Sequence, residues 1–223
     1  MNKRIIAFSL SCIIGMSFIW CSNTNNKESK VEPKVVSEAA ELPGTWSSDY
    51  NRDEVTALFN EGILRIEEVC NNFGLEYKIS EDIIEETKNN ETISVNDNHI
   101  YLDNENPEPN RLESMYYGFK QYGSDLASGQ IIMKIGFNLD KEAIKENGQF
   151  NFEDTSIASF SQAFTGVKDR DYSQLNTEIY NAVANNEGLN TIENNLDGIK
   201  ETITITDNYL LYKLETKEYN FKG

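Results

Sequence analysis

The chain has 223 residues, with 20 Lys and Arg against 37 Asp and Glu, for a formal charge of −17. Such an acidic excess repels the phosphates of nucleic acid and anionic lipid, so a nucleic-acid partner is excluded; it suits plain solubility or a basic protein partner. A lone histidine, His99, with three cysteines excludes the common Cys/His zinc sites, and no Gly-rich phosphate loop or dinucleotide fingerprint occurs, so no cofactor is expected.

Lys3 and Arg4 precede an apolar run from Ile5 to Trp20, broken only by Ser9, Ser11, Gly15 and Ser17; Cys21 closes it, and a polar tract begins at Ser22. A basic start followed by a short apolar run is the signature of an export signal. With a cysteine at its end, the stretch resembles the signal of bacterial lipoproteins. The resemblance implies lipidation of Cys21, anchoring to a bacterial membrane through that N-terminal lipid, and a cell-envelope location. Phe18, Ile19 and Trp20 depart from the aliphatic and small residues that family places before its cysteine. Cleavage at the small-x-small pattern Gly15-Met16-Ser17 would instead release a secreted protein. Left uncut, Ile5–Trp20 would reach about 24 Å, short of the roughly 30 Å hydrocarbon core. Residues 1–20 are therefore read as the export signal, 21–42 as the lipid-attachment cysteine and a flexible tether, and 43–223 as a single α+β domain. Cys12 leaves with the signal, so Cys70 is the one thiol of the exported body apart from Cys21, and the fold must rest on its core rather than on a disulfide.

The folded part opens at Leu42–Trp46, where Gly44-x-Trp46 is similar to the motif that starts the first barrel strand of lipocalin-like proteins. That resemblance implies a closed barrel carrying a small apolar ligand. A helix follows. Asn51 and Glu54 have capping-box spacing, Val55, Leu58, Phe59, Ile63, Ile66, Val69, Cys70 and Phe73 recur along one face, and Gly74 is placed to end it. Cys70 then reads as a small buried hydrophobe. Leu75–Ile79 alternates briefly. Glu91–Leu102 reads as a hairpin turning at Asp97-Asn98, with Val95 facing Ile100, Ile93 facing Leu102, and His99 exposed beside the turn.

The same pattern recurs at Glu201–Tyr212, with a turn at Asp207-Asn208 that pairs Ile205 with Leu210 and Ile203 with Tyr212. Asn71–Leu75 likewise has a counterpart in Asn185–Leu189. The spacing suggests two related helix-plus-hairpin halves, 51–102 and 173–214, or else the limited vocabulary of hairpins and helix stops. At the level of architecture these halves resemble tandem modules of the β-lactamase-inhibitor-protein type, which implies no function. Between them lie the acidic loop Asp103–Asn110, an aromatic segment with Met115, Tyr116, Tyr117, Phe119 and Tyr122, a strand over 131–139, and helices over 157–164 and 173–185; the tail 215–223 extends the last strand.

The expected fold class is α+β, helices packed on antiparallel sheet. Carboxylates are the remaining chemical candidates: Asp103, Glu105 and Glu108 with Asn104 or Asn106, and Asp169 with Asp171, but both sets lack the mid-loop glycine of a calcium hand and read as solvated loops. Tyr116, Tyr117, Phe119 and Tyr122 are candidates for a sugar- or protein-binding surface, because tyrosine combines area with a polar tip. The function expected is non-enzymatic binding by an envelope lipoprotein, toward a protein partner; a lipocalin-like carrier comes second and a carboxylate-dependent hydrolase third.

Overall fold

The computed structural model describes residues 43–222, apart from residues 89, 105, 106, 109, 110, 186–188 and 207. The export segment, Cys21 and the tether lie outside the described residues. The chain divides into Met1–Glu38 and Ala39–Gly223, and the second unit holds everything that follows. Its architecture is α+β: one open sheet of eight antiparallel strands, with every helix on one face.

Helix α1, Arg52–Phe73, starts on the capping box that the spacing predicts. The Asn51 amide donates to Glu54 Oε2 at 2.8 Å and the Glu54 amide to Asn51 Oδ1 at 3.0 Å. It stops at Gly74, which takes the left-handed conformation while the Leu75 amide returns to the Cys70 carbonyl at 2.8 Å. Val55, Phe59, Ile66 and Cys70 are fully or almost fully buried, each aliphatic or aromatic group contributing about 1.5–3 kcal/mol. Phe73, at the frayed end of the stripe, is half exposed.

Strands β1 (Lys78–Lys88), β2 (Glu91–Asp103), β3 (Arg111–Tyr122) and β4 (Ser128–Asn138) form a meander. Helices α2 (Lys141–Asn147), α3 (Ser156–Thr165) and α4 (Ser173–Ala184) follow, then strands β5 (Asn190–Leu196), β6 (Ile199–Ile205), β7 (Tyr209–Glu215) and β8 (Tyr219–Asn220). The sheet order is β1-β2-β3-β4-β7-β6-β5, with β8 beside the start of β4. Under the helices, Phe59 stacks on Tyr117 at 5.2 Å, Phe164 meets Tyr117 edge-on at 5.2 Å, and Trp46 meets Phe164 at 5.4 Å. Among the described residues no helix is long and apolar enough to cross a membrane.

Several expectations need correction. Glu91–Leu102 is no hairpin but lies within the single strand β2; Asp97 and Asn98 sit mid-ladder, paired with Asp82 and Glu81 on one side and Lys120 and Phe119 on the other. Val95 and Ile100 therefore face opposite sides of the sheet rather than each other, as alternation along a straight strand requires. The second hairpin does form, as β6 and β7, with Ile205 opposite Leu210 and Ile203 opposite Tyr212; Asp207 of its turn lies outside the described residues. The tail does not extend β7 but crosses to β4 as β8. Helix α2, strand β5 and the part of β1 beyond Ile79 add to the elements that the sequence pattern predicts.

Gly44-x-Trp46 opens no strand, and among the described residues no barrel closes. Residues Thr45–Ser47 form a 3-10 turn docked on the β5–β6 turn: the Trp46 amide donates to the Asp197 carbonyl at 3.0 Å and the Thr45 amide to Asp197 Oδ1 at 2.9 Å. A Cβ at Gly44 (φ 151°) would fall 1.8 Å from the Asp197 carbonyl carbon, so the motif is held to glycine by this close approach.

Candidate functional site

Alternation divides the sheet cleanly. One face, with Ile100, Met115, Tyr117, Ile135, Tyr212 and Ile203, is covered by helices and buried. On the other, no helix or strand lies among the described residues. A continuous row of ladder partners crosses this bare face from β1 to β5: Lys78, Tyr101, Tyr116, Lys134, Lys213, Thr202 and Glu193.

At its centre the phenol of Tyr116 donates to Asp97 Oδ1 at 2.6 Å. Its ring leans over Gly118, where a Cβ would meet the Tyr116 hydroxyl at 2.1 Å; only glycine leaves room for this pose. His99 Nδ1 lies 3.5 Å from Asp97 Oδ1, and the imidazole makes tilted contacts with the rings of Tyr116 and Tyr101, centre to centre at 5.2 and 5.4 Å. The expectation of an exposed His99 fails because the residue is mid-strand with its side chain only 12% exposed. The hydrogen bond that His99 donates to the Asp97 carboxylate raises the His99 pKa, outweighing burial, and the Asp97 charge adds to the effect. Burial opposes the Asp97 charge, yet hydrogen bonds from His99 and Tyr116, with the Lys120 charge, hold its carboxyl below the usual value. Burial and then the Asp97 charge push the Tyr116 phenol far above its ordinary range, so it serves as a fixed donor and not as a base.

Long side chains laid flat complete the surface. Lys120 pairs with Glu86 and Lys88 with Glu218, the Lys88 ammonium standing 4.3 Å from the Tyr122 ring centre. Lys213 pairs with Glu215 at 2.6 Å and Lys200 with Glu193 at 2.7 Å. Lys134 is exposed, but the wall of neighbours that desolvates its ammonium, and the nearby Lys120 and Lys213, hold its pKa below the usual lysine value.

The four aromatic candidates do not form one surface. All four lie on β3, where alternation puts the odd-numbered Tyr117 and Phe119 into the core and the even-numbered Tyr116 and Tyr122 on the bare face. What spacing missed was Tyr101, His99 and Asp97: apolar residues fall at 93 and 95 and then at 100 and 102, a change of phase that reads as a turn but marks a straight strand whose apolar side chains switch faces.

A second polar network lies inside the helix side. Glu201, wholly buried, takes a bidentate bond from Arg170 at 2.6 and 2.8 Å and further bonds from Tyr212 and Asn194. Ser161 Oγ and the Tyr212 hydroxyl are 2.7 Å apart. Ser161, Tyr212 and Glu201 of this hydroxyl–phenol–carboxylate chain are buried. Cys70 is buried too, and desolvation, then Glu67, raises its thiol to about 11, which makes it inert.

A groove of about 860 Å³ opens between the end of α1 and the α2 region, floored by Leu112, Phe137, Ile144 and Phe150 and rimmed by Asn104, Glu108 and Asp154. Of the calcium candidates, Glu105 and Asn106 lie outside the described residues, and Asp171 caps the Ser173 amide at 2.9 Å. Among the described residues no group of three or more His, Cys, Asp or Glu side chains converges on one point. Comparison with family profiles, with curated proteins and with solved structures finds no match to the chain.

Proposed function

We propose that this chain is an exported lipoprotein of the bacterial cell envelope that binds a basic protein partner on the bare face of its sheet and carries out no chemistry of its own. The observation that carries the reading is the one-sided covering of the sheet, which leaves Tyr101, His99 and Tyr116 bordered by lysines on a flat platform. Tyrosines that combine area with a polar tip are the residues interfaces favour. Most of those lysines are already tied to acids, so the field beyond the surface follows the net −17 and attracts a cationic partner. The basic start, apolar run and Cys21 support the anchor.

The architecture also supports reading the chain as two related halves. Helix α1 precedes the meander β1–β4 and helix α4 precedes β5–β8, and the halves meet where β4 pairs with β7. The repeat so defined has β2 in the place of β6, not of the whole β6–β7 hairpin.

Two measurements test this. A fatty-acid analogue supplied to cells should label the wild type and not Cys21→Ser; equal labelling removes the anchor. The full-length chain in mild detergent should capture envelope proteins at low salt and release them at high salt, since the Debye length falls from about 10 Å at 0.1 M to about 3 Å at 1 M. Tyr101→Ala should weaken capture. Hydrolysis of a glycoside that disappears with one Asp or Glu substitution would overturn the non-enzymatic reading. A second reading, a carrier of a small apolar ligand, is favoured by the apolar floor of the groove at Leu112, Phe137 and Ile144.

A further inference from the structure

The two ends of the sheet are finished differently. At one end β5 is seven residues long, and the chain ahead of it closes over its turn: Asn195 Nδ2 donates to the Pro43 carbonyl at 2.8 Å, and the Thr45 and Trp46 amides bond Asp197. At the other end β1 runs for 11 residues, and among the described residues no strand pairs with its outer edge. An edge of this length presents a row of backbone donors and acceptors ready to accept another strand.

The side chains say which strand. Toward the helix side β1 presents Ile79, Glu81, Ile83 and Glu85, all exposed, with Ile79 at 54% and Ile83 at 82%. Toward the bare face it presents Asp82, Ile84 and Glu86. Glu86 is tied to Lys120, Asp82 accepts from Ser80 Oγ at 2.9 Å, and Glu81 accepts from Asn96 Nδ2 at 3.2 Å, while Glu85 has no partner among the described residues. A second copy of β1 would bring acids against acids, which is destabilising for directly opposed strands. A strand that alternates Lys or Arg with apolar residues along one of its faces matches both features at once: its cations meet Glu81 and Glu85, and its apolar side chains cover Ile79 and Ile83.

We infer that the outer edge of β1 takes an extended basic segment of a protein partner as an added strand, held by main-chain hydrogen bonds and selected by charge. This rests on the reading of the chain as a protein-binding module and adds, beside the bare face, the edge strand at which an extended basic segment of the partner attaches.

The test uses the full-length chain in mild detergent and a fluorescent Lys-Val peptide of repeat Lys-Thr-Val-Thr, which sets Lys and Val alternately along one strand face, matching β1 in length, with a Glu-Thr-Val-Thr peptide as its counterpart. Polarisation should report binding of the Lys-Val peptide alone, and hydrogen exchange should slow across residues 78–88 when it binds. Glu81→Lys with Glu85→Lys should weaken it by about tenfold or more, whereas Glu142→Lys with Glu146→Lys on α2, an equal change in net charge, should leave it within about twofold. Ile83→Ser should weaken it at unchanged charge. Equal losses from the two double variants, or protection away from β1, would overturn the edge site and leave the wider binding reading standing. Protection of β1 before any peptide is added would assign the edge to the chain itself or to a second copy, against the proposal. If neither the peptide nor any envelope protein binds, the binding reading falls with it.

Discussion

Residues 91–102 and 201–212 share Glu-Thr-Ile, a hydroxyl or amide position, and Asp-Asn at matching places, yet one is a straight strand and the other a hairpin. The difference lies in what flanks them. Around Asp97 and Asn98 the ladder continues on both sides, from β1 at Asp82 and from β3 at Lys120, and the Asp97 carboxylate is claimed by Tyr116 and His99. Turning there would break two ladders and strand a buried carboxylate. Around Thr206–Tyr209 both neighbours end: β5 starts its pairing at Asn190 opposite Ile205, and β4 reaches β7 only up to Asn138 opposite Tyr209. Nothing opposes the turn, and the Thr206 amide closes on the Tyr209 carbonyl at 2.9 Å. A local turn preference of about 1 kcal/mol decides the outcome only where no ladder competes.

The sharpest way to probe this contrast is at the leading glutamate, buried as Glu201 and exposed as Glu91. Arg170→Met leaves the Glu201 charge uncompensated and should cost about 3–5 kcal/mol by urea unfolding, while Glu91→Gln should cost next to nothing. The second step concerns the isoleucines. Ile203→Ala, beneath the helices, should cost about 2–5 kcal/mol, whereas Ile93→Ala, half-buried on the bare face, should cost about 1 kcal/mol or less. Equal costs would mean the two segments face the same core after all.

A gentler perturbation offers β2 the turn it declines. Asn98→Gly creates an Asp-Gly pair, the strongest short hairpin signal, yet β2 should stay straight and the protein lose only about 1 kcal/mol. Hydrogen exchange across 78–103 checks it; loss of protection on one side of residue 98 would show the ladders weaker than argued. The smallest effect is the pH dependence of the Asp97–His99 pair. The His99 pKa is raised above 6.5, so its contribution is complete below pH 6.5 and fades as pH rises through the folded value. The Asp97 pKa is depressed below 3.8, so its contribution holds above pH 3.8 and is lost on further acidification. Wild type and His99→Gln should therefore differ most between these limits, by roughly 1 kcal/mol or less, and converge at alkaline pH.

Helix α1 was readable down to its capping atoms, because Asn51, Glu54, Gly74 and the stripe between them are local signals that the tertiary fold only reinforces. The β6–β7 register was readable for the same reason. The β1–β2 hairpin was not, although Asn90 at its turn takes a positive φ and a neighbouring Asn89 precedes it in the sequence. The Asp197-Gly198 pair, with both residues at positive φ, was a second turn signal in plain view. Of the candidate surface, spacing along β3 picked Tyr116 and Tyr122 together with two core residues, since composition alone cannot separate the faces of a strand buried on one side and self-covered on the other.

What the amino-acid sequence determined by itself was every feature set by neighbours a few residues apart: the acidic charge, the α+β class, the start and stop of α1, the alternation of the strands. What only the tertiary structure decided was whatever depends on which strand lies beside which. The ladders from β1 and β3 keep Asp97 from turning, and the β5–β6 turn takes up Gly44 and Trp46 in place of a first barrel strand. The helices choose one face of the sheet, leaving Tyr101, His99 and Tyr116 on the other. The ladder partners of Asp97 lie on β1 and β3 and those of β4 on β7, beyond the reach of any reading of neighbours a few residues apart.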